Sequence, residues 1–239
     1  RLARKVRREH GFDVIHGCNP PDLVFLLALR YRLSGVRYLF DHHDVCPELY
    51  EAKFGRRGLL HQIMLIWERL NFTCASVSIA TNESFRSIAI SRGKMRREDV
   101  FVVRSAPRVE AFLPGPGNRA VRQGAKTVMG YVGVIGQQEG MDLLVSAAQH
   151  LICDLGHQDV HFVIVGFGPE LEAVQADVVA KGLENYFTFT GPLFGDAMLS
   201  VLNAIDIGVA PDPKNAMNDI STMNKVMEYM TLEKPVVQF

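Results

Sequence analysis

The regular alternation of short apolar runs with longer amphipathic stretches constrains the fold of this chain more than any other feature of its sequence. The apolar runs have the length of buried strands, and the stretches between them have the period of helices with one apolar face. Strands separated by helices predict βαβ units and parallel sheets. The clearest strand candidates are residues 37–41, 76–81, 127–134, 160–165 and 207–210, and the clearest helix candidates are residues 59–71, 83–92, 141–153 and 224–231.

The alternation lapses at a turn-rich segment near the middle of the chain. Pro114-Gly-Pro-Gly-Asn118 and the residues up to Lys126 lack periodicity, which is typical of a linker. We therefore predict two Rossmann-like doubly wound domains, residues 1–117 and residues 118–239, that face a cleft at the carboxyl ends of their strands. Because the chain starts within a helical pattern and stops just after a strand-like run, we expect both domains to be incomplete.

Composition and charge narrow the classes of partner. The 26 basic residues balance the 26 acidic ones, so net charge does not favour nucleic acid as a ligand. The 4 cysteines are scattered without a Cys-x-x-Cys pair, and no histidine cluster has metal-ligand spacing. We therefore expect reduced thiols, no metal and a cytoplasmic location. The longest apolar run, residues 23–29, is too short to span a bilayer.

A local excess of positive charge lies at the start of the chain. Arg1, Arg4, Lys5 and Arg8 recur at helical spacing. A solvated helix face explains this pattern, and peripheral contact with an anionic membrane is the alternative.

Two glycine-rich turns follow predicted strands of the second half and open predicted helices. Gly136 lies in the first turn, and Gly166 and Gly168 form the second turn, with Pro169 beginning the next helix. Glycines let the backbone approach a ligand, and free amides at a helix start can hold an anion. The turns therefore predict a phosphate or nucleotide site, and tight turns without a ligand are the alternative. The spacing is not Gly-x-Gly-x-x-Gly, which argues against a nicotinamide cofactor.

Ionisable side chains crowd into the loop after the second predicted strand, at His42-His43-Asp44 and Pro47-Glu48. We select His43 and Asp44 as candidates for proton transfer or for binding a sugar hydroxyl. A surface or capping histidine is the alternative.

Lys225 and Glu228 are three residues apart and therefore share one face of a predicted helix. This pair predicts a nucleotide site in which Lys225 meets phosphate and the Glu228 carboxylate accepts hydrogen bonds from a vicinal ribose diol. A weak surface ion pair between the two is the alternative. Asn82 precedes another predicted helix, and we expect it to be a structural N-cap.

Five segments of the chain together resemble the large family 4 (group 1) of retaining glycosyltransferases, whose two Rossmann-like domains form the GT-B architecture. The resemblance covers nearly the whole chain, and the segments follow one another in the family's order. They are Phe40-Asp-His-His-Asp44, Val102-Val-Arg-Ser-Ala-Pro107, Tyr131-Val-Gly-Val-Ile-Gly136, Ile164-Val-Gly-Phe-Gly-Pro169, and Asn224-Lys-Val-Met-Glu-Tyr-Met230 with Lys234-Pro-Val-Val237.

The resemblance implies a hexosyltransferase-type enzyme that moves a sugar from a nucleoside diphosphate sugar to an acceptor hydroxyl, with retention at the anomeric carbon. We expect a UDP-sugar donor, a sugar or lipid-linked acceptor in cell-surface polysaccharide or glycolipid biosynthesis, and neither a metal nor a cofactor. The resemblance also implies that Glu228 holds the ribose, that Gly136 lies near the diphosphate, and that His43 lies close to the reacting sugar.

The chain departs from the family pattern at several positions. Ile220 stands where a Glu is frequent eight residues before Glu228, Glu139 stands where a Lys often precedes the glycine at 140, and Glu233 stands where a Gly often ends the helix. These departures keep open the alternative of a nucleotide-sugar-binding scaffold without catalysis. A nucleotide-sugar epimerase of similar two-domain build is a further alternative.

Overall fold

The computed structural model describes residues 1–238, which form two compact units. Unit 1 consists of Arg1–Ser105 together with Asn215–Thr222, and unit 2 consists of Ala106–Lys214 together with the described residues from Met223 onward. Each unit has its own parallel sheet with connecting helices. The predicted fold class, two Rossmann-like α/β units with parallel sheets, is therefore confirmed; within residues 1–238 the strand order reverses in the sheet of unit 2 and not in that of unit 1.

The boundary between the two units differs from the predicted boundary between residues 117 and 118. The turn-rich segment before that boundary packs on unit 2, where Gly115 N donates to Asn203 Oδ1 at 2.8 Å and Asn118 N donates to Ser200 O at 2.9 Å. Phe112 packs against the apolar core of the same unit. Because these contacts bind the segment to one unit, the division falls at Ser105 instead.

Unit 1 is built on a four-stranded sheet with the order β1-β2-β3-β4. Its strands are β1 (Val14–Cys18), β2 (Arg37–His42), β3 (Val77–Ala80) and β4 (Val100–Val102). Its helices are α1 (Leu2–Glu9), α2 (Phe25–Arg32), α3 (Cys46–Phe54), α4 (Leu59–Cys74) and α5 (Glu83–Ser91), with short 3-10 turns at Asp22–Val24, Arg97–Asp99 and Asn218–Ile220. Because all strand pairs are parallel, the carboxyl ends of the strands meet at one edge.

The prediction of a loop at Pro47 and Glu48 is wrong, because these residues belong to α3. Pro47 lies in the first turn of the helix, where its missing N–H costs nothing. Gly55 ends the helix in the left-handed conformation at φ 61°. The proline at the start of the helix and the glycine at its end are both visible in the sequence. A continuous apolar stripe is missing, because α3 buries only its first turn and Tyr50.

Unit 2 is built on a five-stranded sheet. Its strands are β5 (Thr127–Val134), β6 (Val160–Phe167), β7 (Phe187–Gly191), β8 (Ile207–Ala210) and β9 (Val236–Gln238). Its helices are α6 (Met141–Gln149), which continues as a π-helical turn (His150–Asp154), α7 (Leu171–Ala180), α8 (Gly195–Ala204) and α9 (Asn224–Thr231). Short 3-10 turns lie at Arg119–Arg122, Gln137–Glu139 and Glu184–Tyr186.

The strand order of unit 2, β7-β6-β5-β8-β9, reverses at β5. The chain moves outward from β5 through β6 and β7, and then returns to the other side of β5 with β8. The segments that follow β5 and β8 meet at the carboxyl ends of these two strands, where Gly140 lies against Pro211. Ligands of open α/β sheets bind at such a reversal.

Both faces of the sheet in unit 2 are buried. Successive side chains of a strand point to opposite faces, so Phe162 and Ile164 of β6 pack with one apolar cluster, and Val163 packs with the other. Tyr229 of α9 lies in the second cluster, and its hydroxyl accepts a hydrogen bond from the backbone N–H of Val132 at 3.0 Å. This bond attaches α9 to the central strand.

The end of α9 carries a strained residue. Glu233 has a φ of 56°, which is the left-handed region. Glycine adopts this conformation without strain, and a side chain there costs about 1 kcal/mol. The replacement of the usual helix-ending glycine by Glu233 therefore costs stability.

Candidate functional site

Charged side chains gather at the carboxyl ends of β5 and β8, where the strand order reverses. Lys225 and Glu228 come from α9, Glu139 comes from the turn after β5, and Asp212 comes from the segment after β8. Lys225 and Asp212 are buried. Burial of several charges at a strand-order reversal is typical of a binding site for a charged ligand.

The Lys225 ammonium is held by two carboxylates. Its Nζ donates to Asp212 Oδ1 and Oδ2 at 3.0 and 2.9 Å and to Glu139 Oε2 at 3.1 Å, and it lies 4.7 Å from the ring centroid of Tyr131. Burial raises the pKa of Glu139 despite the opposing charge of Lys225, and the charge of Asp212 adds to the increase. The lysine donors are thus engaged within the protein.

These contacts exclude one of the two interpretations of Lys225. It does not form a surface ion pair with Glu228, because it is buried and its partners are Asp212 and Glu139. Glu139, which departs from the family pattern, positions this lysine. A contact between Lys225 and phosphate stays a prediction, and it requires the phosphate to draw Nζ away from a carboxylate.

Glu228 is half-buried and lies one turn of α9 beyond Lys225. Burial raises the pKa of its carboxyl group. Within residues 1–238, no side chain or backbone N–H donates a hydrogen bond to this carboxylate. A half-buried carboxylate without a donor is suited to accept hydrogen bonds from a ligand hydroxyl.

The three predicted glycines differ in what surrounds them. A Cβ on Gly166 would lie 1.8 Å from Gly133 O, and a Cβ on Gly168 would lie 2.2 Å from Ile135 O. These two glycines therefore let the ends of β5 and β6 approach each other, whatever else they contact. A Cβ on Gly136 would meet only the side chain of Gln138, at 3.0 Å and beyond. Packing of the protein backbone therefore does not require Gly136.

His43 and Asp44 follow β2 in unit 1. His43 is exposed, and Asp44 is half-buried. Burial raises the pKa of the Asp44 carboxyl group, although the neighbouring His43 and His42 oppose this effect. The two candidate side chains are thus accessible at the edge of the sheet where the strands end.

Asn19 positions this loop. Its Oδ1 accepts hydrogen bonds from His43 N at 2.8 Å and Asp44 N at 3.2 Å, and its Nδ2 donates to Asp44 O at 2.6 Å and Asp22 Oδ1 at 3.0 Å. No motif in the sequence singles out this buried residue. The available signal is its place directly after β1, before two prolines.

An ionic network that includes the buried residues His42 and Glu68 connects β2 with α3, α4 and the end of α5. Arg92 donates to Glu68 at 2.5 and 2.7 Å and to Glu48 at 2.5 and 3.2 Å. His42 is fully buried, and its Nε2 lies 3.4 Å from Glu68 Oε1. Although burial opposes ionisation of Glu68, His42 and Arg92 hold the pKa of its carboxyl group below the ordinary value. No local sequence pattern reveals this network, because its members lie on β2, α3, α4 and the end of α5.

One group of side chains has the chemistry and spacing of metal ligands. The ligand atoms of Cys18, Asp41 and His43 lie within 4.8 Å of one another. His16 Nε2 lies 3.0 Å from Asp41 Oδ2. Spacing along the sequence does not reveal this group, because Cys18 ends β1 whereas Asp41 lies on β2 and His43 follows it.

Among the helices of residues 1–238, none combines the length and the apolar character that a membrane crossing requires.

Two families match consecutive parts of the chain. Residues 1–106 match the family described as "Glycosyl transferase 4-like domain", and residues 126–239 match the family described as "Glycosyl transferases group 1".

Two curated relatives have related descriptions. The 2-deoxystreptamine N-acetyl-D-glucosaminyltransferase of Streptomyces fradiae is 29% identical over 245 residues, covering 98% of this chain and 56% of the relative. The 2-deoxystreptamine glucosyltransferase of Streptomyces kanamyceticus is 29% identical over 216 residues, covering 87% of this chain and 55% of the relative. The chain thus spans about half the length of these relatives.

Solved structures show the same fold. Anabaena HepE in complex with UDP superposes with a TM-score of 0.77 at 18% identity, covering 99% of this chain and 62% of HepE. A further structure of HepE contains UDP-glucose and has a TM-score of 0.73 at 20% identity, with coverage of 99% and 62%.

Proposed function

The chain belongs to the group 1, family 4 glycosyltransferases of the GT-B fold, and on this premise we propose that it is a hexosyltransferase that uses a nucleoside diphosphate sugar as donor. The observation that carries the proposal is Glu228, a half-buried carboxylate of α9 that accepts no hydrogen bond from residues 1–238. Its two oxygens suit the vicinal hydroxyls of a ribose. The nucleotide thus binds where the strand order reverses.

We assign the donor contacts to Gly136, Gly166, Gly168, Lys225 and Glu228. Gly136 supports the assignment best among the glycines, because only a flexible side chain would meet a Cβ at that position. The amides of Gln137 and Gln138, at the start of the turn Gln137–Glu139, suit a diphosphate. The departing diphosphate is stabilised there by fixed dipoles, without a metal or cofactor.

We assign the reacting sugar to His43 and Asp44 of unit 1. His43 supplies an exposed imidazole, and Asn19 holds the backbone of both residues. Such a fixed loop suits the orientation of sugar hydroxyls. Retention at the anomeric carbon is part of the proposal, and the anomeric configuration of the product, measured by NMR, tests it.

UDP is the proposed nucleotide, because HepE binds UDP and UDP-glucose in its structures. The proposed acceptor is a hydroxyl of a cell-surface polysaccharide or glycolipid precursor. The curated relatives are described with 2-deoxystreptamine as acceptor, so a small aminocyclitol belongs in the acceptor assay. A cytoplasmic location, with peripheral contact between α1 and an anionic membrane through Arg1, Arg4, Lys5 and Arg8, completes the proposal.

Isothermal titration calorimetry of the full-length protein with UDP and GDP tests the donor site. We expect UDP to bind more tightly than GDP, and Glu228→Gln to weaken UDP binding by roughly 10- to 100-fold, because hydrogen bonds to a charged acceptor are lost. Glu172→Gln, on the exposed face of α7, is the matched control and should bind UDP like the parent. Unchanged UDP binding by folded Glu228→Gln would contradict the assignment.

Turnover distinguishes the proposed function from its alternatives. A glycosyltransferase releases UDP from UDP-glucose in step with transfer to an acceptor. A scaffold binds UDP-glucose without releasing UDP, and an epimerase of similar fold produces an epimerised sugar without any acceptor. Chromatography of reaction mixtures with and without an acceptor separates these outcomes.

A further inference from the structure

We propose that His16, Cys18, Asp41 and His43 form a binding site for a thiophilic divalent cation of the Zn²⁺ class at the carboxyl ends of β1 and β2. All four residues belong to unit 1, whereas the proposed nucleotide contacts belong to unit 2.

The register of the two strands brings the four residues together. Cys18 and Asp41 are direct partners in the parallel pair β1–β2. His16 stands two residues before Cys18, and His43 stands two residues after Asp41. Because side chains alternate along a strand, His16 and Cys18 share a face of the sheet, and Asp41 lies beside them on the neighbouring strand.

The distances suit metal coordination. The ligand atoms of Cys18, Asp41 and His43 lie within 4.8 Å of one another, and His16 Nε2 lies 3.0 Å from Asp41 Oδ2. Zinc bonds of about 2.0–2.3 Å in a tetrahedron place ligand atoms roughly 3.3–3.7 Å apart. Side-chain rotations that move the ligand atoms of Cys18, Asp41 and His43 by about 1 Å therefore give three coordinating atoms, and His16, which contacts Asp41, is the proposed fourth ligand. Sulfur, imidazole nitrogen and carboxylate oxygen are the ligand atoms that zinc uses.

The present contacts of these side chains leave them available to a cation. The Cys18 thiol donates one weak hydrogen bond, to Asn19 O at 3.5 Å, and both Cys18 and His43 are exposed. Asp41 is paired with His16 alone among the basic residues 1–238. Within the same residues, no other three His, Cys, Asp or Glu side chains bring their ligand atoms equally close.

Occupancy of this site has a consequence for activity that rests on the proposed function. Coordination uses a lone pair of the His43 imidazole, and the same imidazole is assigned to the reacting sugar. A bound cation therefore inhibits sugar transfer, and removal of the cation by a chelator restores sugar transfer.

Cobalt(II) titration of the reduced, full-length protein tests the site without any substrate. We expect one equivalent of Co²⁺ to produce the visible bands of a tetrahedral site together with a sulfur-to-cobalt charge-transfer band, and Zn²⁺ to abolish both. Cys18→Ser should lose the charge-transfer band, and His43→Ala should weaken Co²⁺ binding by on the order of 10-fold or more. Cys153→Ser, which removes an exposed thiol from unit 2, should retain the full spectrum.

Two spectroscopic results would contradict the proposed cation site. Absence of a charge-transfer band in the parent protein, or its persistence in Cys18→Ser, would overturn the site. The cobalt spectra do not depend on nucleotide binding. They therefore test the cation site even if calorimetry rejects the proposed donor site. If transfer continues unchanged in protein saturated with Zn²⁺, the inhibitory consequence is wrong.

Discussion

At the scale of single residues, Lys225 connects the electrostatics of unit 2 to its stability. Its ammonium lies between Asp212 and Glu139, and Asp212 is 5% exposed. Asp212 is buried and Glu139 is half-buried, and burial disfavours an uncompensated charge, so the lysine stabilises both carboxylates. Substitution of the lysine in this trio of Lys225, Asp212 and Glu139 therefore leaves two negative charges close together in a largely buried site.

We expect Lys225→Met to lower the free energy of unfolding by about 3 kcal/mol at neutral pH, since it leaves the buried carboxylates unpaired. The pKa of Glu139 is already raised in the folded protein, so the folded state favours its protonated form. The loss should therefore be greatest above the folded-state pKa of Glu139 and should shrink as the pH falls through it toward about 4. Urea unfolding at a series of pH values measures this difference.

Lys181→Met is the control for this prediction. Lys181 pairs with Asp177 one turn away on the surface of unit 2, at 2.6 Å. Such i,i+4 pairs contribute about 0.3–0.5 kcal/mol. Equal losses in the two variants, or a loss in Lys225→Met that does not change with pH, would show that the trio does not act as a buried ionic cluster.

At the scale of elements, the turns after β5 and β8 depend on a close approach of two backbones. Gly140 begins α6 with a φ of 67°, and a Cβ there would lie 1.9 Å from Pro211 O. This contact brings the segment that carries Asp212 against the turn that carries Glu139. Glycine is required at position 140 both by the left-handed conformation and by the missing space.

We expect Gly140→Ala to lower the free energy of unfolding by about 3 kcal/mol, because left-handed strain adds to a steric overlap with backbone. Gly182→Ala is the matched control, since Gly182 has the same φ of 67° and nothing within 4 Å of its Cβ position. Its loss should be only about 1 kcal/mol. Urea denaturation midpoints measure the loss of unfolding free energy in both variants, provided that the dependence of this free energy on urea concentration is unchanged. Equal losses in the two variants would disprove the close approach.

At the scale of the whole molecule, the chain leaves unit 2 once to contribute a segment to unit 1. Residues 215–222 pack with unit 1, although the residues on both sides of them belong to unit 2. Met217 and Ile220 contact the apolar core of unit 1, and Asn82 Nδ2 donates to Ile220 O at 2.9 Å and to Thr222 Oγ1 at 3.2 Å. The Oδ1 atom of Asn82 caps α5 by accepting from Phe85 N at 2.9 Å.

Asn82→Asp separates these two roles. An aspartate keeps the cap but cannot donate to Ile220 O, so we expect a stability loss of about 1–2 kcal/mol. Hydrogen exchange followed by mass spectrometry should show faster exchange in residues 215–222 and unchanged protection at the start of α5. Asn118→Asp, at another cap, is the control and should leave residues 215–222 unaffected. Faster exchange at α5 as well would mean that the cap itself was damaged.

The local pattern of the sequence accounts for most of the elements. The predicted bounds of β5, β8 and α9 agree with the structure, because apolar runs and the turn residues that flank them act on the chain locally. The N-cap role of Asn82 has the same origin and is confirmed. α3 escapes prediction, because its first turn and Tyr50 are buried without forming a continuous apolar stripe.

The sequence by itself determined the βαβ alternation, the glycine turns, the helix that carries Lys225 and Glu228, and the resemblance to one enzyme family. Only the tertiary structure decided which partners these residues have. Lys225 meets carboxylates 13 and 86 residues away instead of one three residues away, and Cys18 meets Asp41 through strand register. Periodicity fixes which residues share a face of one element, whereas the contacts between elements depend on packing over long sequence separations.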